Sequence, residues 1–206
     1  MNNILNENKY LIIEDLLNKD ESNFVEKKLY DPFFPWYLSA DKDNEGNRYT
    51  VLPEIVKQWK DDINVVDKGQ FVHSFLYVEN DKLIENSINK DIALKIISNF
   101  INKTQIKNLS ILRAKANLLT ESKKYSKSSY GVPHIDYDTK HYVLIYYVND
   151  CDGDTVLFDE NKKIYKKISP KKGKGLFFKG DTLHAGGHPV DTSTRCVINF
   201  NFKIND

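Results

Sequence analysis

The chain has 206 residues, of which 40% are hydrophobic and 12% aromatic, so it is long enough to bury the core of one ordinary domain. Its 30 Lys and Arg residues nearly balance 29 Asp and Glu residues, which argues against a nucleic-acid binder that depends on a basic surface. No apolar run approaches the roughly 20 residues that a bilayer-spanning helix needs. Because there are only two cysteines and no pattern typical of a secretory signal, we expect no disulfide framework and a cytoplasmic location.

The first half of the chain predicts a mixture of short strands and helices. The segment 91–104 has the clearest helical pattern, because its isoleucines form a broad apolar face with Leu94 and Phe100. Asp91 is a suitable N-cap for this helix, and Pro53 is typical of the start of another. The predicted elements are a strand over 10–13, helices over 21–29 and 53–59, a strand over 70–78 and a helix over 91–104.

The second half predicts strands and turns almost throughout. Short strands at regular spacing, separated by Gly- and Asp-rich breaks, are typical of an all-β sandwich or barrel. We therefore expect a single domain over 1–206, with an α/β supporting region over 1–108 and a β core over 109–206. The predicted strands cover 109–119, 142–148, 155–158, 163–168, 175–178 and 195–204, and the polar stretch 120–130 is expected to be a mobile loop.

One set of residues in the β core has the composition of a metal centre. His134 and Asp136 are two positions apart, so an extended backbone presents both side chains on one face. His184 follows 48 residues after Asp136, and Arg195 eleven residues later. Two histidines and one carboxylate that leave other coordination positions open form the facial triad of non-heme Fe(II) oxygenases.

Each of these residues also has an ordinary structural interpretation. His134 and Asp136 are compatible with a loop after Pro133, and Arg195 with a surface ion pair. His188, which precedes Pro189, is the rival of His184 for the second histidine position. The order and spacing of the whole set favour the metal-centre hypothesis over these separate interpretations.

Alternation along the last predicted strand divides its residues between two faces. Arg195, Val197, Asn199 and Asn201 share one face, and the aromatic residues Phe200 and Phe202 lie on the other. If the aromatic face packs against the supporting helices, the Arg195 face points into the barrel. Asn199 then becomes a candidate for the pocket, although a structural hydrogen bond explains it equally well.

The stretch from about residue 109 to 202 resembles the Fe(II)/2-oxoglutarate-dependent dioxygenase superfamily, and within it the prolyl-4-hydroxylase-like branch found in phage and marine bacterial genomes. The segments that carry the resemblance are LRAKANLL, PHIDYD, YVLIYYVNDCDGDTVLFDE, SPKKGKGLFF, DTLHAGGHPV and TRCVINFNF. The resemblance implies a double-stranded β-helix, or jelly-roll, core of the cupin-like type with supporting helices. It also implies that His134, Asp136 and His184 bind iron.

The same resemblance suggests how the co-substrate is held. Arg195 stands where the family places the basic residue that pairs with the distal carboxylate of 2-oxoglutarate, and a guanidinium suits that task because it binds carboxylates in a bidentate way. Tyr147 corresponds to a tyrosine that bonds the same carboxylate. The family's tyrosine on the strand before His134 is missing here, so Asn117 is a substitute candidate for the near end of 2-oxoglutarate.

The resemblance implies hydroxylation of a C–H bond, with a prolyl or amino-acid-like group as the expected substrate. It also implies Fe(II) as cofactor, 2-oxoglutarate and O2 as co-substrates, and release of succinate and CO2. The expected partners are a small-molecule or peptide substrate, with no nucleic acid and no membrane. The nucleic-acid demethylase branch is disfavoured because its second arginine is replaced here by Asn201. The alternative is a non-catalytic cupin-like protein that binds a metal or small acid, and a zinc hydrolase is a weaker one.

Overall fold

The computed structural model describes Leu5 and residues 9–39, 41–42, 48–49, 51–66, 69–79 and 82–204. Strands dominate this part of the chain, and nearly all of them pair antiparallel. Three helices accompany the strands in the described residues. In chain order the elements are β1 (Tyr10–Ile13), α1 (Lys19–Leu29), β2 (Tyr37–Ser39), β3 (Asp41–Lys42), β4 (Arg48–Tyr49), α2 (Pro53–Lys57), β5 (Gln70–Glu79), β6 (Lys82–Asn86), α3 (Lys90–Thr104), β7 (Leu109–Thr120), β8 (Tyr142–Tyr147), β9 (Thr155–Phe158), β10 (Ile164–Ile168), β11 (Gly175–Lys179), β12 (His184–Gly186) and β13 (Thr194–Ile204).

Two facing sheets form the body of the protein. The major sheet has the order β1-β11-β8-β13-β7-β5-β2, with β6 paired to β5, and the minor sheet has the order β10-β9-β12. This mainly β arrangement with supporting helices is the double-stranded β-helix, which confirms the predicted fold class. Strands β3 and β4 pair with each other outside both sheets.

The outer face of the major sheet is covered by α1 and α3. Phe100 of α3 packs against Phe177 and Phe202, which lie on β11 and β13. Cys196, Ile198 and Phe200 belong to the same buried cluster, so the even-numbered side of β13 faces the helices as its alternation predicts. The odd-numbered side is thereby left for the space between the two sheets.

A second buried cluster fills that space. Val143, Ile145 and Tyr147 of β8 meet Leu157 of β9 and Ile168 of β10 there. The neighbouring residues of β8, Leu144 and Tyr146, point to the helical side. Both faces of β8 are therefore buried, which explains why its sequence, YVLIYY, is an unbroken apolar run.

The N-terminal half is part of the major sheet. Strand β1 pairs with β11 at one edge, and β5 pairs with β7 near the other. Helix α1 begins at a capping box in which Glu21 N–H donates to Asn18 Oδ1, while Glu21 Oε2 accepts from Asn18 N–H. The division at residue 108 stays a prediction, although strands from both sides of it share this sheet.

The N-cap prediction for α3 is wrong. The helix begins one residue earlier than expected, with Asn89 as its N-cap and Asp91 inside the first turn. An acidic residue in the first turn still interacts favourably with the helix dipole, which is why Asp91 produces a cap-like signal in the sequence. No helix among the described residues is long and apolar enough to span a membrane.

Candidate metal centre and its pocket

The two candidate histidine ligands are brought together by backbone hydrogen bonds. His134 and His184 form an isolated antiparallel bridge, in which each backbone N–H donates to the other residue's carbonyl, at N···O distances of 3.0 and 3.1 Å. Opposite residues in such a bridge project their side chains to the same side. The two imidazole centroids consequently lie 5.0 Å apart, at the inner side of the minor sheet.

Asp136 completes the group. One ligand atom from each of His134, Asp136 and His184 lies within 4.8 Å of the other two, and no other metal-ligating group of this kind occurs in the described ranges. The distance from His184 Nε2 to Asp136 Oδ2 is 3.8 Å. The side chain of Asp136 is 6% exposed, so the group opens to the pocket and is otherwise screened from solvent.

Both histidines have a fixed tautomer. His134 Nδ1 lies 2.8 Å from the Val132 carbonyl oxygen, and His184 Nδ1 lies 3.0 Å from that of Thr182. A carbonyl oxygen only accepts, so each Nδ1 carries a proton and Nε2 is the ring nitrogen left to face the pocket. Burial lowers the pKa of His184 to about 4, against a smaller opposing effect of Asp136, which keeps this ring neutral near pH 7.

The carboxylate of Asp136 is held by three donors. Arg113 Nη2 donates to Oδ1 at 2.8 Å, while Asn201 Nδ2 and Asn199 Nδ2 donate to Oδ2 at 2.9 and 3.2 Å. Burial alone would raise the pKa of Asp136, but the neighbouring cationic and hydrogen-bonding groups, with Arg113 among them, hold that pKa well below its usual range. Asp136 is therefore an anion, and Arg113 supplies its permanent counter-charge.

Arg195 lies at the other end of the same pocket and is 5% exposed. Its Nε donates to the Gly153 carbonyl oxygen and its Nη2 to Thr155 Oγ1, both at 2.9 Å. Arg195 forms no ion pair with any residue that the structure describes. A Cβ on Gly186 would lie 3.0 Å from Arg195 Nη1, so the glycine two residues after His184 makes room for the guanidinium.

Tyr147 is fully buried and is not among the described residues that line the pocket. Its hydroxyl donates to Thr155 Oγ1 at 2.8 Å, and burial raises the pKa of Tyr147 to about 12. Thr155 does line the pocket and accepts from both Tyr147 and Arg195. Because both acceptor sites of its hydroxyl are used, Thr155 retains one O–H to donate. The direct bond from Tyr147 to the carboxylate of 2-oxoglutarate stays a prediction. The sequence analysis did not identify Thr155 as a pocket residue.

The two candidate asparagines both line the pocket. Asn117 Oδ1 is buried and has no hydrogen-bond partner among the described residues, so this side chain is available to a ligand. Asn199 donates to Asp136 and thus has the structural hydrogen bond that the sequence offered as an alternative. His188 lies on the pocket wall with its ring 4.9 Å from that of Tyr125, and it is not part of the metal-ligating group.

The loop over 120–130 is more firmly attached than its composition suggests. Tyr130 is 3% exposed, and its hydroxyl donates to Asp62 Oδ2 at 2.6 Å. Lys123 Nζ donates to the Val190 carbonyl oxygen, and Ser128 donates to Asn64. These bonds connect the loop to two neighbouring segments, and Tyr130 anchors its C-terminal end, while the mobility of the loop stays a prediction.

Sequence reasoning missed two pocket residues on β7, Arg113 and Lys115. Both lie on the face that carries Asn117, four and two positions before it respectively, so strand alternation from Asn117 was the signal that could have found them. The pocket has a volume of about 380 Å³. Its lining includes apolar residues from the N-terminal half, namely Val51, Leu52, Ile55 and Val66.

Residues 121–203 match the family model described as the 2OG-Fe(II) oxygenase superfamily. The predicted resemblance to Fe(II)/2-oxoglutarate-dependent dioxygenases is confirmed. This family uses Fe(II), 2-oxoglutarate and O2. The match supports the assignment of this chain to the oxidoreductases of the dioxygenase class. No curated protein sequence matches the chain.

Solved structures with the same fold cover almost the whole chain. An oxidoreductase of the 2OG-Fe(II) oxygenase family from Burkholderia pseudomallei aligns with a TM-score of 0.66 at 10% identity, over 98% of this chain and 88% of its own. A Trichoplax adhaerens prolyl hydroxylase, in complex with a hypoxia-inducible-factor peptide fragment, aligns at 0.58 and 17%, over 97% and 86%. The viral collagen prolyl hydroxylase of Paramecium bursaria Chlorella virus-1 aligns at 0.53 and 16%, over 98% and 99%. At these identities the likeness concerns the fold.

The donor set of this chain fits the metal of that family. Two imidazoles and one carboxylate converge on a shared point and leave the pocket side open, as Fe(II) oxygenases require. The carbonyl partner of each Nδ1 supplies the outer hydrogen bond that metal-binding histidines normally have. The buried guanidinium of Arg195, without an ion-pair partner in the described chain, fits a ligand with a carboxylate.

Proposed function

We infer that this protein is an Fe(II)- and 2-oxoglutarate-dependent dioxygenase that hydroxylates a C–H bond and releases succinate and CO2. The main support for this function is one pocket whose two ends match the two ends of 2-oxoglutarate. His134, Asp136 and His184 meet within 4.8 Å at one end, and the buried Arg195 lies at the other. 2-Oxoglutarate has a metal-chelating keto acid at one end and a carboxylate at the other, which matches this pairing.

The chain's own residues hold and orient the reactants. His134 and His184 would bind Fe(II) through Nε2, and Asp136 through the carboxylate that Arg113 and Asn201 keep in place. Arg195 would pair with the distal carboxylate of 2-oxoglutarate, with Thr155 as an additional donor and Tyr147 behind it. Asn117 would donate to the near end of 2-oxoglutarate. Bound iron supplies O2 activation coupled to oxidative decarboxylation of 2-oxoglutarate.

A prolyl or amino-acid-like substrate is the finer part of the proposal. Solved prolyl hydroxylases from Trichoplax adhaerens, a chlorella virus and Pseudomonas putida share the fold at 11–17% identity, which supports this class through fold analogy. We also place the protein in the cytoplasm, because both of its cysteines are buried and unpaired, which suits a reducing compartment.

The test combines a binding measurement with a turnover measurement. Purified protein that is loaded anaerobically with Fe(II) and 2-oxoglutarate should develop a weak visible charge-transfer band. Exposure to O2 should then convert 2-oxoglutarate to succinate and CO2. A band without any succinate, for a broad set of amino acids and prolyl peptides, would favour the non-catalytic cupin-like alternative, and the absence of the band would contradict both the cofactor and the function.

A further inference from the structure

The described lining of the pocket contains more positive than negative charge. Arg113, Lys115 and Arg195 are cationic, and Asp136 is the one carboxylate among these lining residues. Arg113 is paired with Asp136 at 2.8 Å. Arg195 is assigned to 2-oxoglutarate by the proposed function. This leaves Lys115, which forms neither an ion pair nor a hydrogen bond with any residue in the described part of the chain.

Lys115 occupies the middle of the pocket wall. On the major sheet it lies between Ser74 of β5 and Asn199 of β13, and Asn199 in turn donates to Asp136. Its two neighbours across the strands are uncharged, so they do not offset the ammonium charge. Burial, with a smaller contribution from Arg113 and against an opposing effect of Asp136, lowers the pKa of Lys115 to about 8, so the side chain is still mainly protonated at neutral pH.

A partly buried ammonium is unfavourable when the nearest carboxylate, here Asp136, is already paired with another cation, unless a ligand pairs with it. Binding of the expected metal and 2-oxoglutarate would increase the requirement for an anion beside Lys115. A divalent ion bound by Asp136 would share the carboxylate that Arg113 now neutralises, while the ion and Arg195 would match the two carboxylates of 2-oxoglutarate. The loaded pocket would therefore retain positive charge beside Lys115.

The other residues of the pocket wall indicate the chemistry and size of a ligand that would pair with Lys115. Val51, Leu52 and Ile55, on and just before α2, present apolar side chains to the pocket, and Ile135 lies between the two ligand residues of the H-x-D pair. The cavity of about 380 Å³ must also accommodate 2-oxoglutarate, which restricts the reacting part of the substrate to about the size of an amino acid.

We propose that Lys115 Nζ binds the carboxylate of a small organic acid, which is the substrate of this pocket and places its apolar body against Val51, Leu52 and Ile55. The proposal rests on the proposed function, because it assigns Arg195 to 2-oxoglutarate. An uncharged substrate or an internal residue of a peptide would leave Lys115 without a partner, so the charge of the pocket favours a free acid.

The experiment measures binding without turnover. Protein loaded anaerobically with Fe(II) and 2-oxoglutarate is titrated by calorimetry with the common L-amino acids and with simple carboxylic acids of two to six carbons. Each acid is compared with its amide, which has the same shape but no charge. At least one acid should bind roughly tenfold or more tightly than its amide, the scale of a charge-assisted hydrogen bond.

Three variants assign that preference to one side chain. Lys115→Met retains the length and apolar stem of the lysine and should abolish the preference for the acid, while Lys115→Arg should retain most of it. Lys203→Met is the matched control, because Lys203 is an exposed strand lysine outside the pocket, and it should change nothing. Thermal melts of each variant identify any failure to fold.

Each other result contradicts the inference. A preference for acids that survives Lys115→Met, equal binding of acids and amides, or no binding by any member of the panel would each overturn it. Loss of 2-oxoglutarate affinity in Lys115→Met and Lys115→Arg alike would assign Lys115 to the co-substrate instead. The visible band recorded before each titration separates these results from failure of the proposed function, since a protein that never forms the band fails at the earlier step.

Discussion

The two ends of the pocket differ in how their buried charges are paired. The arginine end, formed by Arg195, Gly153 and Thr155, surrounds one buried cation with neutral acceptors and no carboxylate. The aspartate end, formed by Asp136, Arg113 and Asn201 with Lys115 beside them, already pairs its anion and still has a cation left over. Under the proposed function, the arginine end would receive an anion of the co-substrate. The aspartate end would receive a metal and, by the further inference, a second anion.

The largest effects are expected from the candidate ligands at the aspartate end. His134→Ala, Asp136→Ala and His184→Ala should each abolish the anaerobic visible band, because the ligand atoms of all three side chains lie within 4.8 Å of one another. His188→Ala is the matched control, since His188 lines the pocket outside this group. If His188→Ala removed the band and His184→Ala did not, the assignment of the second histidine would be wrong.

The next effect belongs to the arginine end. Arg195→Ala should weaken 2-oxoglutarate binding by about 2–5 kcal/mol, because it leaves a desolvated carboxylate unpaired. Fe(II) should still bind, since Arg195 contacts none of the three candidate ligands through a hydrogen bond. Equilibrium dialysis of each component measures the two affinities separately. Unchanged 2-oxoglutarate affinity would show that Arg195 does not bind the co-substrate. The proposed difference between the two ends of the pocket would then be wrong.

At the aspartate end, the Arg113–Asp136 pair is testable in metal-free protein. Arg113→Met should lower the free energy of unfolding by about 1.5–3 kcal/mol, because it leaves a buried carboxylate without its charged partner. Urea denaturation measures this change. The double variant Arg113→Met with Asp136→Asn should be less destabilised than the sum of the single variants, since the orphaned charge is gone. Strict additivity would show that the two side chains do not stabilise each other.

The arginine end was largely predictable from the sequence, and the reason is local. The strand over Thr194–Ile204 is long, and both of its faces are buried, so alternation alone placed Arg195 and Asn199 on the inner side. The H-x-D pair and His184 were likewise found through residue type and spacing. Longer elements were predicted to within a few residues because each carries enough apolar residues to show its period.

The charges of the aspartate end were not predictable in this way. Arg113 reaches Asp136, 23 residues further on, only because β7 lies beside β13 in antiparallel register, which places Arg113 opposite Asn201. Lys115 becomes a pocket residue through the same register. A short strand such as β12, with three residues, has no periodicity to detect, and its position depends on the bridge between His184 and His134. Cross-strand neighbours are a property of topology, which the pattern along one strand does not contain.

Because Lys115 is the proposed anion-binding group at the aspartate end, binding of a small acid should depend on pH. Lys115 has a pKa of about 8, so it is protonated below that pH and loses its charge as the pH rises. Acid affinity should be flat near pH 7 and fall up to tenfold per pH unit above about 8. The charged groups that face Lys115 are Arg113 and Asp136, which keep their charge over this range, and the adjacent Ser74 and Asn199 are neutral.

Calorimetry with a simple carboxylic acid measures this dependence, because such a ligand has no amino group that titrates over the same range. Lys115→Arg is the matched variant, and its acid affinity should stay flat to about pH 10, since a guanidinium does not deprotonate there. The 2-oxoglutarate affinity should be flat in both proteins, because its proposed partner is a guanidinium and not an amine. A wild-type acid affinity that does not fall above pH 8 would mean that Lys115 is not the anion-binding group.

The smallest expected effect concerns Tyr147, behind the arginine end. Tyr147→Phe should weaken 2-oxoglutarate binding by about 1 kcal/mol, the scale of one hydrogen bond. The sequence resemblance assigns this effect to a direct bond with the carboxylate, whereas the hydroxyl donates to Thr155 Oγ1 at 2.8 Å. Through that bond Tyr147 occupies one acceptor site of Thr155, and Arg195 occupies the other. The hydroxyl hydrogen of Thr155 is thereby directed toward the ligand.

A double-mutant cycle distinguishes these two roles. If Tyr147 acts through Thr155, Tyr147→Phe should cost nothing in a Thr155→Val background, because the hydroxyl that it orients is gone. If Tyr147 bonds the carboxylate itself, the two losses should add, since each variant removes a separate donor. Equilibrium dialysis of 2-oxoglutarate across the four proteins measures the coupling. Unfolding curves for the same set show whether either substitution disturbs the buried cluster around Tyr147, where an added cavity would weaken both ends of the pocket equally.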